Sequence, residues 1–233
     1  MKVLTLLLIL CAPVALLAQT AKLAPLASGG QINAAVYNDA AHGSLFPGLD
    51  PSLKRFGVVI TNTTNQPVVA TQIRWDWTDP DGKPRILIEQ KATIGTYQPI
   101  AGANSTFLML PRQAPTAPGG RVMSAGFKMP AGLLTTPTVK VTIDTMILGD
   151  GQVIGPDNGH LQASLEARSQ AVEMLRQIIN AAKAQGRDPL PDIQQAIANA
   201  PPALRSQLAL QTQNGKSARI VSSTYPLPKF YRK

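Results

Sequence analysis

A two-residue alternation runs through residues 69–78, which read Val-Ala-Thr-Gln-Ile-Arg-Trp-Asp-Trp-Thr. Successive side chains of an extended strand point to opposite faces of a sheet. One face carries both tryptophans of the chain with a threonine and an isoleucine: Thr71, Ile73, Trp75 and Trp77. The other face carries only polar residues: Gln72, Arg74 and Asp76. The segment predicts a strand with one buried and one solvated face.

Two tryptophan rings in line would also suit stacking on a sugar chain or a peptide. Because Thr71 and Ile73 share the face of Trp75 and Trp77, we expect one or both rings in the core instead.

Similar segments recur on both sides of this strand, between Gln31 and Asp150. Short runs rich in β-branched residues alternate with Pro, Gly, Asn and Asp, which favour turns. The predicted strands are 32–37, 56–62, 68–78, 85–90, 92–97, 105–110, 122–128 and 139–148. Many short strands with turn residues between them are typical of an all-β sandwich or barrel.

Two turns follow from residue type. Asp-Pro-Asp-Gly at 79–82 predicts a β-turn after the first strand described above. The same residues resemble the start of a calcium loop, but the twelfth position of that loop holds Gln90 where an acidic ligand is needed. Asp150-Gly151 predicts a tight hairpin that pairs 146–148 with 152–154.

Three stretches carry a family resemblance: Phe-Gly-Val-Val-Ile-Thr-Asn at 56–62, Gln-Pro-Val-Val at 66–69 and Ile-Arg-Trp at 73–75. They resemble strands B and C of bacterial Ig-like domains, in which a tryptophan on the third strand often fills the space between the sheets. The paired cysteines of antibody domains are absent here. The resemblance implies an Ig-like antiparallel β-sandwich and no residue-level function.

The period changes after Gly159. Apolar residues now recur three, four or seven positions apart: Leu161, Leu165, Val172, Leu175, Ile179 and Ala182. This spacing predicts an amphipathic helix that ends near Gly186. Asp188-Pro189 predicts the start of a second helix through Asn199, and Pro201-Pro202 separates it from a third at 203–212. The predicted fold is therefore mainly β with C-terminal α.

Each predicted helix has one apolar stripe, which must be buried against the sandwich, the other helices or a partner. We expect it to dock on the protein's own core. Arg168 lies in the stripe of the long helix and argues against a coiled coil. A late strand at 218–224 and an extended tail complete the prediction.

The N-terminus has the pattern of a secretory signal peptide. Lys2 precedes an apolar run at 3–17, and Ala18-Gln19 resembles a cleavage junction. The run is shorter than the roughly 20 residues that cross a bilayer, so an uncleaved anchor is the poorer interpretation. We expect an exported bacterial protein that is periplasmic, cell-surface or secreted, with no transmembrane span after cleavage.

The predicted organisation has five parts: a signal peptide at 1–18, a linker or leader strand at 19–30, the sandwich at 31–157, a helical region at 158–213 and a basic extended tail at 214–233.

The only cysteine, Cys11, lies in the predicted signal peptide, so the rest of the chain has no disulfide and no thiolate site. The net charge is +9, and the last residues carry cations without a single acid: Lys216, Arg219, Lys229, Arg232 and Lys233. This tail would suit contact with an anionic surface; the alternative is a solvated terminus.

Residues that support catalysis are scarce. The chain has 13 Asp and Glu and two histidines, His42 and His160, which lie far apart in sequence. Asp150, Asp157 and Asn158 would suit a loop cation site, although an ordinary loop is the simpler interpretation. We therefore predict no catalytic residue, no cofactor and no metal site.

The sequence favours a non-enzymatic exported module, binding or structural, whose partner is a protein or an envelope polymer. One alternative is a hydrolase-like enzyme built from a loop carboxylate and a histidine. Another is a spacer that docks on an anionic envelope surface through its basic C-terminal part. No nucleic-acid partner is expected, because a focused basic face with interleaved aromatics is missing.

Overall fold

The computed structural model describes residues 20–92, 99–120, 129–130 and 132–212. The strands in these ranges are β1 (Thr20–Leu23), β2 (Ile32–Val36), β3 (Val58–Asn62), β4 (Val68–Thr78), β5 (Pro84–Ala92), β6 (Ser105–Met109), β7 (Thr138–Leu148) and β8 (Val153–Ile154). The helices are α1 (Asp39–His42), α2 (Pro51–Lys54), α3 (Leu161–Ala184), α4 (Leu190–Asn199) and α5 (Pro202–Thr212). The prediction of a mainly β chain with C-terminal helices is confirmed.

The described strands form two sheets. The five-stranded sheet has the order β1-β7-β4-β5, with β8 also paired to β7, and the three-stranded sheet has the order β2-β3-β6. The pairings are antiparallel except that of β1, which runs parallel to β7 with Thr20 opposite Thr138. The segment 19–30 thus contains an edge strand.

The two sheets share one hydrophobic core. Ile73, Trp75 and Val141 are fully buried, and they pack with Ile60 and Phe107 of the three-stranded sheet. The indole N–H of Trp75 donates to the carbonyl of Phe56 at 3.2 Å. The tryptophan therefore fills apolar space without leaving its polar group unsatisfied, as buried Trp residues usually require. Trp77 is also buried, so the core interpretation of both rings is confirmed.

The predicted strands match the observed ones closely. The strand at 68–78 has the predicted bounds, while the segment at 56–62 becomes a strand only from Val58, because Phe56 and Gly57 complete the turn after α2. The hairpin at Asp150-Gly151 pairs Met146 with Ile154 as predicted. The predicted strand at 122–128, and that at 92–97 beyond Ala92, lie outside the described residues.

Two short helices between β2 and β3 were not predicted. Asn38 caps α1 and Asp50 caps α2, each through a side-chain oxygen that accepts a backbone N–H. The segment around them covers the far side of the three-stranded sheet with a second apolar cluster: Tyr37, Phe46, Leu49, Leu53, Val59, Leu108 and Leu110.

Helix α3 divides its apolar stripe between two surfaces. Leu161 and Leu165 pack on Val69, Ala70 and Ile147 of the five-stranded sheet. Later turns of the helix pack on α4 and α5 in a cluster formed by Ala171, Leu175, Ile193, Ala200 and Leu208. The expectation that the helix docks on the protein's own core is confirmed. Gly186 has a positive φ of 64° just after α3, the backbone conformation that the predicted helix end needs.

The predicted signal peptide with Cys11 lies outside the described residues, as does the basic tail. Among the helices that the structure describes, none is long and apolar enough to span a bilayer.

Candidate functional site

A groove of about 330 Å³ lies on the outer face of the five-stranded sheet, the face that points away from the three-stranded sheet. It opens beside the residues that lead into α3. Its lining comes from three strands and one loop: Gln72, Arg74, Asp76, Ile88, Lys140, Thr142, Asp144, Asn158 and Gly159.

Strand alternation places these side chains together. Trp75 and Val141 point into the core, so their neighbours Arg74 and Thr142 point outward, and those two residues are paired across β4 and β7. Asp76 is paired with Lys140 in the same way. The polar face that the sequence predicts for β4 is thus one wall of the groove.

The closed end of the groove is built around Asp144, which is 6% exposed. Its carboxylate accepts hydrogen bonds from Gln72 Nε2 at 2.6 Å, Gly159 N at 2.9 Å and Asn158 N at 3.2 Å. The Asn158 amide and the Thr145 hydroxyl also donate to it. Burial opposes ionisation of Asp144, but these donors outweigh it and lower the pKa of the carboxyl.

The loop that supplies those donors is fixed by Asp157. One oxygen of its carboxylate accepts the backbone N–H of Leu161 at 2.7 Å, and the other accepts that of Gln162 at 3.3 Å. Gly159 lies so close to Gln72 that an added Cβ would stand 1.6 Å from Gln72 Nε2. The first turn of α3 and the strand β4 are therefore held in tight register.

The open end of the groove carries charges of both signs. Arg74 and Asp76 neutralise each other, with Arg74 Nε 2.8 Å and 2.9 Å from the two carboxylate oxygens. Lys140 and Lys22 are adjacent across the parallel β1–β7 pair, and both are exposed. Neither lysine side chain makes a hydrogen bond or an ion pair with any residue in the described ranges.

An apolar strip borders the same face. Ile86 is 55% exposed and Ile88 is 51% exposed on β5, whereas Leu87 between them packs against the core. Large aliphatic side chains with half of their surface in water are candidates for contact with a partner when they lie side by side.

Another buried carboxylate of this sheet lies away from the groove. Glu89 on β5 is 8% exposed and accepts the backbone N–H of Arg112, while Lys91 Nζ stands 3.7 Å away. Burial raises the pKa of the Glu89 carboxyl, and the nearby cation and N–H only partly oppose that effect.

The two histidines occupy separate places. His42 Nδ1 accepts the backbone N–H of Asn38 at 3.0 Å, and its ring stands 5.8 Å from that of Tyr37. His160 is exposed at the start of α3 with a positive φ of 52°. In the described part of the chain, neither side chain hydrogen bonds to a carboxylate.

The remaining acidic candidates bind protein donors. Asp79 accepts the backbone N–H groups of Asp81 and Lys83, so the β-turn interpretation is confirmed. Asp150 accepts the N–H of Gln152 within its own hairpin, whereas Asp157 accepts the N–H of Leu161 at the start of α3. No group of three or more His, Cys, Asp or Glu within the described ranges is arranged to hold a metal ion.

The sequence did not predict Asp144, Lys22, Ile86 or Ile88 as site residues. The basic tail residues that it did single out lie outside the described ranges: Lys216, Arg219, Lys229, Arg232 and Lys233. Comparison of the chain with models of protein families, with curated proteins and with solved structures gave no match.

Proposed function

We propose that the chain is an exported, non-enzymatic binding module that holds a protein or an envelope polymer on the outer face of its five-stranded sheet. The observation that carries this proposal is the groove, which Lys140 and the half-exposed Ile88 line beside a wall of hydrogen-bonded side chains. Lys22 and Ile86 extend the same sheet face on either side of it. A surface that is rigid before its ligand arrives loses little conformational entropy on binding.

The contacts that the two carboxylates of the groove already make favour a binding function over a hydrolytic one. The Asp76 carboxylate is held by Arg74, and that of Asp144 is saturated by five donors from its neighbours. A general base needs a free lone pair within reach of the substrate. Asp76 offers one only if it leaves its ion pair with Arg74, and Asp144 only if it loses the donors that enclose it.

The architecture that we propose is an Ig-like sandwich. Support comes from the two sheets around one core and from Trp75, which is fully buried between them. The parallel pairing of β1 with β7 departs from the antiparallel sheets that the architecture usually has.

We propose that the protein is exported from a bacterial cell. It rests on the apolar run at 3–17, on the Ala18-Gln19 junction and on the absence of cysteine after Cys11. A chain that crosses a membrane before it folds has no need of disulfides if its core is large, and the shared core of the two sheets meets that requirement.

Site-specific photo-crosslinking in the cells that make the protein tests the function. A photoreactive side chain at Ile88 should give a discrete adduct, because that position borders the groove. Leu190, which is 52% exposed on α4, is the matched control and should give none. No adduct from Ile88, or equal adducts from both positions, would refute binding at this face.

A further inference from the structure

We propose that the occupant of the outer face is an amphipathic helix of a partner protein, with acidic residues along one flank. This inference rests on the proposed function, since it names the partner that the groove would bind. It commits to a helix, and an extended segment is the outcome that the proline peptide described below would reveal.

The same face of the sheet already accepts a helix. The opening turns of α3 lay Leu161 and Leu165, four residues apart, on Val69 and Ile147 of this sheet. A helix stripe with that spacing is the usual cover for a sheet face. Past the start of α3 the face continues toward Asp76 and Lys140, and there Ile86 and Ile88 are half exposed.

The width of this sheet face matches that of one helix. Lys22, Lys140, Asp76 and Ile86 are register partners in one row that crosses all four strands. Neighbouring strands lie roughly 4.8 Å apart, so the row is about 14 Å wide. A helix with its side chains is about 10–12 Å across. One helix along the strands would therefore contact the isoleucines on one side and the lysines on the other.

The exposed charge at one side of this face is positive. Asp76 in this row is bound by Arg74 of the next row, and the Asp144 carboxylate is enclosed by its donors at the closed end of the groove. The positive charges of Lys22 and Lys140 therefore remain at one side. A flank of Asp or Glu on the incoming helix would complement them. The chain's own last 21 residues, 213–233, carry five Lys and Arg and no Asp or Glu, so their charge is of the wrong sign.

The direct test uses a synthetic helical peptide of about 14 residues, roughly four turns, with leucines on one face and glutamates on the flank. A second peptide has lysine in place of every glutamate, and a third has the first composition with prolines that prevent a helix. Fluorescence anisotropy with the purified chain should show binding of the first peptide and at least about tenfold weaker binding of the other two.

Variants place the peptide on the face. The double change Lys22→Gln and Lys140→Gln should weaken binding of the acidic peptide about fivefold, since each exposed charge pair contributes little. Ile88→Ser should weaken it further through lost apolar contact. Lys183→Gln, an exposed change at the end of α3, is the control and should have no effect.

Several results would overturn the inference. Equal binding of the acidic and basic peptides would show that charge does not select the partner. Equal binding of the proline peptide would show that the partner need not be a helix. Unchanged affinity in the lysine double variant would place the peptide elsewhere. If no peptide binds while the Ile88 crosslink persists, the proposal of a helical partner is wrong and the proposed binding function is retained. If the crosslink is also absent, both proposals are refuted.

Discussion

Asp144 and Glu89 are buried carboxylates of the same sheet, 6% and 8% exposed, yet their pKa values move in opposite directions. Asp144 lies on β7 under the loop that starts α3, and Glu89 lies on β5 near Arg112. The pKa of Asp144 is lowered, whereas that of Glu89 is raised.

The donors around each carboxylate explain the difference. Both groups lose water, which favours the protonated form. Asp144 recovers the loss through N–H and O–H donors on both of its oxygens, while Glu89 has one backbone N–H and a lysine 3.7 Å away. One oxygen of Glu89, Oε2, is buried without a hydrogen bond. Glu89 thus has the stronger desolvation and the fewer donors, and both raise its pKa relative to that of Asp144.

The largest expected effect is at Asp144. Asp144→Ala should lower the free energy of unfolding by about 3 kcal/mol, because the buried Gln72 amide and the N–H groups of Asn158 and Gly159 lose a charged acceptor. Urea unfolding followed by tryptophan fluorescence measures this. Asp150→Ala, which also removes an acceptor of a backbone N–H but at an exposed turn, is the control and should cost under about 1 kcal/mol. Equal losses in both variants would show that Asp144 is an ordinary surface acid.

The next effect concerns the tight contact beside Asp144. Gly159→Ala should cost about 2 kcal/mol, since the new methyl would overlap the Gln72 amide and push it away from Asp144. Gly102→Ala is the control, because a Cβ there would come no closer than 3.8 Å to the atoms of Ser105. Thermal melts of the two variants should differ clearly. A Gly159→Ala protein as stable as the Gly102→Ala protein would show that the loop moves freely.

A pH series should separate charge from hydrogen bonding at Asp144. Because its folded-state pKa is below the unfolded value of about 3.9, the carboxylate stabilises the fold above that pH, and the contribution is lost as the pH falls through the folded-state pKa. Asp144→Asn should therefore differ from the parent by about 1 kcal/mol at pH 7 and progressively less below pH 4. Urea unfolding at several pH values checks this. A difference that stays constant down to the lowest pH would contradict the assigned role of the charge.

The smallest effect has the opposite sign. The folded-state pKa of Glu89 is raised, so the native state holds its proton more tightly than the unfolded chain does, and stability falls as the pH rises from about 4.3 through the folded-state pKa. Glu89→Gln removes the buried charge and should raise stability at pH 7 by under about 1 kcal/mol. Urea unfolding at pH 7 measures the gain, with Glu173→Gln on the surface of α3 as the control. A loss at pH 7 would show that the ion pair with Lys91 outweighs the burial.

Alternation and turn chemistry made much of the β region predictable. The strand at 68–78 was found with its bounds because Ile73, Trp75 and Trp77 mark one face and charged residues mark the other. The long helix was found because Leu161, Leu165 and Leu175 repeat at helical spacing. These signals are local, so a single sequence displays them.

The remaining features depend on contacts that are distant in sequence. The pairing of Thr20 with Thr138 is parallel and joins segments that are far apart in sequence. No pattern in either segment therefore predicts it. Helices α1 and α2 have four residues each, too few for a helical period to repeat, and only the caps Asn38 and Asp50 hint at them.

The candidate site was missed for a related reason. Alternation with Val139, Val141 and Ile143 puts Asp144 on the polar face of its strand, where a solvated residue is the ordinary expectation. Its burial comes from the loop at 157–159, and the sequence gives no sign that this loop folds back over β7. The nearest local signal was Asp157, whose position before an apolar helical run is typical of a helix cap.

Helix α3 is a single rod that belongs to two hydrophobic clusters, one with Val69 and Ile147 and one with Ile193 and Leu208. If either cluster unfolds, the turns of α3 that belong to it lose their packing. The other cluster is then destabilised, because both sets of turns share one helix backbone. The sheets and the helical region should therefore unfold together as one cooperative unit. Amide hydrogens near Ala171 and Val172, which are buried in the middle of the helix, should be the slowest of the helix to exchange with solvent.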